Sequence, residues 1–242
     1  MKAIKMYQTI RTKYRNLYEY YQKYGLRKAI VLIIEYTGLF KKRVLVFFEQ
    51  ELQVHPTPNN DHDIELVRLE KKDIEPIDQY CDGWFPKEEA LRRLEQGRVL
   101  LVVKDRETNT FYQWLEFSKV DIPYLDLSFS IPEHTACMAY IYTVPEYRGR
   151  GIASRAKLPV LQYLREHGYY RIFLMIKPDN APSQRVNKKA GFKEYQTVFY
   201  LKLCFLKYYS VRDCETNRKK IFWGTTAVDQ ELWKTFSKIG HN

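Results

Sequence analysis

The segment of this chain best suited to chemistry is Val144-Pro-Glu-Tyr-Arg148-Gly149-Arg150-Gly151-Ile152-Ala153-Ser154. A β-type apolar run leads into it and an amphipathic helical run leaves it, so the chain turns there on two glycines. Glycine lets a backbone approach a ligand closely and turn its N–H groups inward. Those N–H groups, with the positive end of the helix dipole, favour a phosphate or pyrophosphate. Arg148 and Arg150 add charge-assisted donors. A tight strand-to-helix turn with two surface arginines is the competing reading of the same residues. A dinucleotide fingerprint is excluded. Ser154 stands where its third glycine belongs, and Lys177-Pro178 where an acidic residue would end the next strand. A P-loop is excluded as well, because no Gly-Lys-Ser/Thr is present.

Such a loop has to be held by a strand–helix–strand unit, and the periodicity supplies one. Thr135–Val144 reads as a strand, 152–167 as a helix closed by Gly168, and Tyr170–Ile176 as a second strand parallel to the first. Pro159 removes a backbone bond inside that helix and predicts a bend. Ala153, Ala156, Val160, Leu161 and Leu164 still share one apolar face. A helix over 181–190 ends in Ala190-Gly191-Phe192, and Thr197–Phe205 returns as a strand. Upstream, Ile64–Leu69 reads as a strand and Lys72–Asp78 as a short helix that Asp73 caps and Pro76 limits. Lys87–Gln96 is a further helix. Val99–Lys104 and Thr110–Phe117 form a hairpin around a five-residue turn, and a loop with Pro123 and Pro132 follows. The class is mixed α/β on one sheet.

Composition narrows the rest. With 45% hydrophobic and 29% charged residues, a disordered or collagen-like chain is excluded. The runs Ala29–Ile34 and Val44–Phe48 fall far short of the roughly 20 residues that cross a bilayer. Cys81, Cys137, Cys204 and Cys214 show no paired spacing, so no metal is expected and a reducing cytoplasm is the expected compartment. The net charge of +11 is uneven: residues 1–43 carry +9, residues 55–205 only +1, and residues 206–242 carry +3. His55–Asp63, with two prolines and two asparagines, reads as a linker. Before it, Ile4, Tyr7, Ile10, Tyr14, Leu17, Tyr21 and Tyr24 make one apolar-aromatic stripe on a basic helix that Gly25 ends. Residues 26–37 stay open between helix and strand, and Val44–Val54 reads as a strand. The basic arm, 1–43, has three readings. It packs its stripe on the following domain, lies peripherally on an anionic membrane surface, or binds an acidic macromolecule such as an acyl carrier protein or RNA. Phe222, Trp223, Trp233 and Phe236 predict folded structure in the tail as well.

Arg148 to Ala153, read as Arg-x-x-Gly-x-Ala between a strand and an amphipathic helix, resembles the acyl-CoA-binding signature of the GNAT N-acetyltransferase superfamily, in its bacterial-type form. Asn180-Ala-Pro-Ser183 followed by Asn187-Lys-Lys-Ala-Gly191-Phe192 continues the likeness. It covers about 63–205, leaving 1–62 as a basic helical and strand extension with its linker and 206–242 as a carboxyl-terminal extension. The resemblance implies a GNAT fold: a central mixed, mostly antiparallel sheet, flanked by helices, whose fourth and fifth strands splay. It implies acetyl-CoA or another acyl-CoA as co-substrate, with pantetheine in the gap between Thr135–Val144 and Tyr170–Ile176. Backbone groups from Tyr142 to Val144 would pair with its amides. Arg148, Gly149, Arg150, Gly151, Ile152, Ala153 and Ser154 would hold the pyrophosphate, and Asn180, Ser183 and Asn187 would line the arm.

The implied activity is direct attack of a small-molecule or peptide amine on the thioester. Two positions depart from the family pattern. Where histone-type members carry a glutamate base, this chain has Cys137, and where many carry a tyrosine acid it has Asn187. Glu133 and His134 are the nearest titratable substitutes, with solvated loop residues as the plainer reading. Cys137 is an acyl-accepting nucleophile or an inert buried cysteine. Two other functions stay open, acyl transfer from an acyl carrier protein and a non-catalytic acyl-CoA-binding module.

Overall fold

Most β-type runs join one sheet, and helices cover that sheet on both faces. The computed structural model describes residues 18, 21–26, 40–52, 64–74, 86–105 and 108–224. Its elements are β1 (Phe40–Glu51), β2 (Glu65–Leu69), α1 (Lys87–Glu95), β3 (Val99–Asp105), β4 (Thr108–Glu116), β5 (Lys119–Ile122), β6 (Leu127–Ser130), β7 (Thr135–Thr143), α2 (Ile152–Glu166), β8 (Arg171–Ile176), α3 (Ala181–Lys189), β9 (Lys193–Leu203), β10 (Leu206–Asp213) and β11 (Lys219–Gly224). Nine strands run in the order β11-β10-β9-β1-β8-β7-β4-β3-β2, and β5 pairs with β6 in a separate hairpin. Every neighbouring pair is antiparallel except β7 and β8. This is the mixed, mostly antiparallel α/β sheet expected, with its parallel pair where the strand–helix–strand unit put it.

Alternation along the strands separates the two faces. Ala136 and Met138 of β7 pack with Val160, Leu161 and Leu164 of α2 and with Ile172 and Leu174 of β8. Cys137 and Ala139 point the other way, into a core shared with Phe47, Phe173, Val198, Tyr200 and the β5–β6 hairpin. On that same side Ala90 of α1 packs against Leu100, Val102, Tyr112 and Trp114.

Several expectations need correction. β1 lies between β8 and β9, with Val46 opposite both Ile176 and Thr197, so the sheet runs across the expected boundary at 62/63. It likewise continues through β10 and β11 into the expected carboxyl-terminal extension. The stretch read as a loop around Pro123 contains β5, a 3-10 turn over Pro123–Leu125, and β6. Of the expected short helix Lys72–Asp78, residues 75–78 lie outside the described residues, so only the setting of Asp73 is described. Asp73 sits at the end of a 3-10 turn over Lys71–Asp73, and its carboxylate accepts the Glu70 N–H at 2.9 Å. β9 begins at Lys193, ahead of the expected Thr197. α2 continues through Pro159, in line with the helix expected over 152–167. Of the aromatic stripe, Tyr21 and Tyr24 are exposed, and Gly25 ends their helix with φ +82°. The remainder of that stripe, residues 27–39, the linker 55–63, Cys81 and the tail 225–242 lie outside the described residues.

Candidate active site

β7 and β8 are paired only from Thr135 opposite Arg171 to Cys137 opposite Phe173. Beyond Cys137 the two strands part. The cause is local: against β4 the register slips, with Trp114 opposite Ala139 but Gln113 opposite Ile141, so Tyr140 is an extra residue. Its φ of 46° is left-handed, and a bulge of this kind bends the strand that carries it. The Gln113 carboxamide stabilises the irregularity by donating to Trp114 O at 2.9 Å and Ala139 O at 2.8 Å.

The bulge also decides which backbone groups face the gap. The Val144 N–H bonds Thr110 O at 3.0 Å, so Val144 and Tyr142 turn their amides toward β4. Ile141 and Thr143 turn theirs toward the gap. The expectation of free groups at Tyr142 and Val144 is therefore corrected to Ile141 and Thr143. One of the four is engaged, since Arg148 Nε donates to Thr143 O at 3.0 Å.

The chain leaves this strand through Pro145–Tyr147, a 3-10 turn, and enters α2. Gly149 and Gly151 hold φ of +77° and +74°, and a Cβ on either would meet nothing within 4 Å. Conformation, not crowding, requires glycine there. Gly151 is the N-cap of α2, and its carbonyl accepts from Ser154 and Arg155. Ile152 and Ala153 thus carry the N–H groups that a helix start leaves unbonded. Arg148 and Arg150 flank the loop with their guanidinium groups over Tyr142 and Tyr147, at 5.6 Å and 5.1 Å. The loop has the shape of an anion cradle, and both arginines are held by aromatic neighbours.

α3 stands beside this opening. Asn180 caps it, its Oδ1 accepting the Ser183 N–H at 3.2 Å. Asn187, one of the buried polar residues, donates Nδ2 to Ser183 O at 2.8 Å, while its Oδ1 has no partner among the described residues. The side chains of Asn180 and Ser183 thus serve α3 itself.

Glu133 and His134 are elsewhere. Both are exposed at the opposite end of β7, where His134 Nδ1 lies 2.9 Å from Gly168 O. With Phe117, His167, Gly168 and Tyr169 they line a separate depression of about 330 Å³. The gap opens past Cys137, about 10 Å along β7 from His134, and the loop lies beyond the far end of a strand about 30 Å long, so these two groups touch neither. They are not in place to deprotonate an amine there. Cys137 is fully buried, and burial followed by the Glu116 charge pushes its thiol well above the ordinary value. It is inert as a nucleophile.

Two buried charged groups were not singled out from the sequence. Glu116 of β4, directly opposite Cys137, is fully buried and accepts from Arg93 Nη1 at 2.6 Å, with Arg98 at 3.8 Å. Burial raises its carboxyl above the usual range despite both arginines. Arg93, on α1, also bonds Glu89 at 2.9 Å and lies 4.1 Å from the Tyr140 ring centroid, which ties the bulge to α1. The second is Lys157 of α2, 3% exposed, with no hydrogen-bond partner for Nζ among the described residues. Burial pushes its pKa down to about 7. The sequence did hold a signal for it: a lysine within the stripe of Ala153, Ala156, Val160, Leu161 and Leu164.

The sequence profile of the acetyltransferase (GNAT) family matches residues 72–192. An uncharacterized N-acetyltransferase, YnaD of Bacillus subtilis (strain 168), is 37% identical over 62 residues, covering 25% of this chain and 36% of its own length. The match thus spans about a third of that relative. Among solved structures, the glucosamine N-acetyltransferase region of a fungal multi-domain GH3 β-N-acetylglucosaminidase superposes with a TM-score of 0.51 at 14% identity, over 73% of this chain and 23% of that one. A putative GNAT-family acetyltransferase of Novosphingobium aromaticivorans gives 0.49 at 17% identity, over 66% and 63%.

Proposed function

The chain belongs to the acetyltransferase (GNAT) family, and on that premise we propose that it transfers an acyl group, in its simplest form acetyl, from acyl-CoA to a small-molecule or peptide amine. The observation that carries this reading is the parting of β7 and β8 beside a loop whose two left-handed glycines open α2. When bound, acyl-CoA supplies the thioester that is attacked. The unbonded N–H groups of the loop and the α2 dipole suit its pyrophosphate. Backbone groups of Ile141 and Thr143 suit the amides of its pantetheine arm. An N–H on the gap side of β7 polarises the thioester carbonyl and stabilises the oxyanion as the amine attacks. No protein nucleophile takes part, in keeping with the inert Cys137. The donor is a cytoplasmic metabolite, and the same reading places the protein in the cytoplasm.

Calorimetry with acetyl-CoA tests the proposal through Gly151→Asp and Gly151→Asn. Both residues tolerate a positive φ better than other side chains, so they differ chiefly in charge. The aspartate variant is expected to bind at least about tenfold more weakly than the asparagine variant, a difference of about 1.4 kcal/mol. Equal affinity in wild type and Gly151→Asp would sink the assignment.

A further inference from the structure

An unpaired amine inside a protein is costly, because burial removes its water and gives nothing back. Lys157 is in that position, and its surroundings indicate what it faces. α2 joins parallel β7 to β8, so its inner side lies across the parted strands. Ile152 and Ala156, on the loop side of Lys157, pack in the cluster that Ile141 joins. Val160, Leu161 and Leu164, one turn further on, pack with Met138 and Leu174. Lys157 lies between these groups, level with residues 138–141, where β7 has already left β8. Its Nζ is 5.6 Å from the centroid of Phe192, at the end of the α3 turn. In that turn Phe192 N–H bonds Asn187 O, and Asn187 Oδ1 has no partner among the described residues.

Among the described residues no carboxylate pairs with the amine, and burial is the cause of its lowered pKa. The charges that border this cluster pair with each other, Lys188 with Glu194 at 2.6 Å and Arg171 with Glu49 at 3.0 Å. Nothing in the fold requires an amine there. A hydrocarbon side chain would fill the same space without the desolvation cost.

We propose that Lys157 is the proton donor to the departing thiolate, its Nζ standing at the thiol end of bound coenzyme A. The proposal rests on the acyl-CoA reading above. As the acceptor nitrogen bonds the acyl carbon, the carbon–sulfur bond breaks and its electron pair stays on sulfur. Lys157 Nζ gives a proton to that sulfur and becomes neutral. It recovers a proton from the water that took one from the attacking amine. An ammonium group that titrates near neutrality serves both halves of that cycle.

The test needs no knowledge of the acceptor. Wild type, Lys157→Met and Lys157→Gln are titrated with free coenzyme A and with desulfo-coenzyme A, and the thiol of the bound coenzyme is titrated by thiolate absorbance. In wild type the bound thiol is expected to hold at least about tenfold more thiolate at a given pH than free coenzyme A, which is about one unit of pKa. In both variants it should titrate as the free thiol does. Desulfo-coenzyme A should bind all three proteins alike, and Lys157→Met should melt at a higher temperature than wild type. A variant that binds coenzyme A with the wild-type thiol titration overturns the proposal. An acetyl adduct on Lys157 after incubation with acetyl-CoA would also overturn it, making the amine an acceptor. Failure of wild type to bind either coenzyme would remove the acyl-CoA reading itself.

Discussion

α1 and α2 cover opposite faces of the sheet, and each buries one cation to the same degree: Arg93 and Lys157 are both 3% exposed. Their surroundings differ completely. Arg93 reaches Glu116 and Glu89 and covers the Tyr140 ring, so its charge is matched on three sides. Lys157 has a phenyl ring and, among the described residues, no carboxylate. A buried charge that is fully matched holds elements together, and losing one partner strands the other. A buried amine left unmatched contributes nothing of that kind, so its role is sought in what enters the gap. The difference between the two faces separates a clamp from a reactive group.

The comparison is most easily broken at the matched pair. Arg93→Met should cost about 3–5 kcal/mol in denaturant unfolding, because Glu116 would lose its hydrogen-bonded partner and keep only Arg98 at 3.8 Å. Arg93→Met combined with Glu116→Leu should cost less than Arg93→Met alone, since no stranded carboxylate remains. Equal or additive losses would mean that Arg93 acts by packing.

Asp126 sharpens the comparison at intermediate burial. It accepts from Lys41 Nζ at 2.9 Å, Tyr200 Oη at 2.8 Å and Lys202 Nζ at 3.4 Å, with 21% of its side chain exposed. Burial alone would raise its carboxyl, but the bonds from Lys41 and Tyr200 outweigh it and the net shift is downward. A lowered folded pKa means stability that is present above the ordinary aspartate value of 3.8 and is lost as pH falls below it through the folded value. Asp126→Asn should therefore cost about 1–2 kcal/mol at pH 7, discounted for partial exposure. That difference should shrink in melts at about pH 3. A gap between the two proteins that persists unchanged in acid would show that packing, not charge, holds this site.

The smallest effect belongs to the exposed end of β7. Glu133→Gln and His134→Gln should each leave thiol release from acetyl-CoA within a few-fold of wild type, since neither group faces the gap. A loss of about 10² or more in either would restore it as the base.

The loop and its helix were legible because their signals are local: two glycines between periodic segments, and an apolar stripe from Ala153 to Leu164. Gly168 and Gly191 ended their helices as read, with φ of +82° and +96°. The hairpin around Pro123 was missed because β5 and β6 are only four residues each, too short for alternation to show. The bulge at Tyr140 left no trace in the sequence, since an extra residue is defined only against the partner strand. Lys157 was visible as a lysine in an apolar stripe, but that it lacks a partner among the described residues is a fact of three dimensions. Glu133 and His134 were suggested by nearness in sequence to the start of β7, and the length of the strand carries them away from its far end.

β1 pairs only with strands that lie far along the chain. Leu45, Val46, Phe47 and Phe48 are buried between β8 and β9, which are made more than a hundred residues later. During synthesis this apolar strand waits with both of its hydrogen-bonding edges open, and such edges are templates for pairing with other chains. The sheet closes only once residues near 203 have left the ribosome. Long-range pairing of this kind is slow, because the loop must be closed before the contacts reward it. What the sequence offered as an appendage lies in the middle of the sheet, so cutting the chain after residue 54 would divide its core.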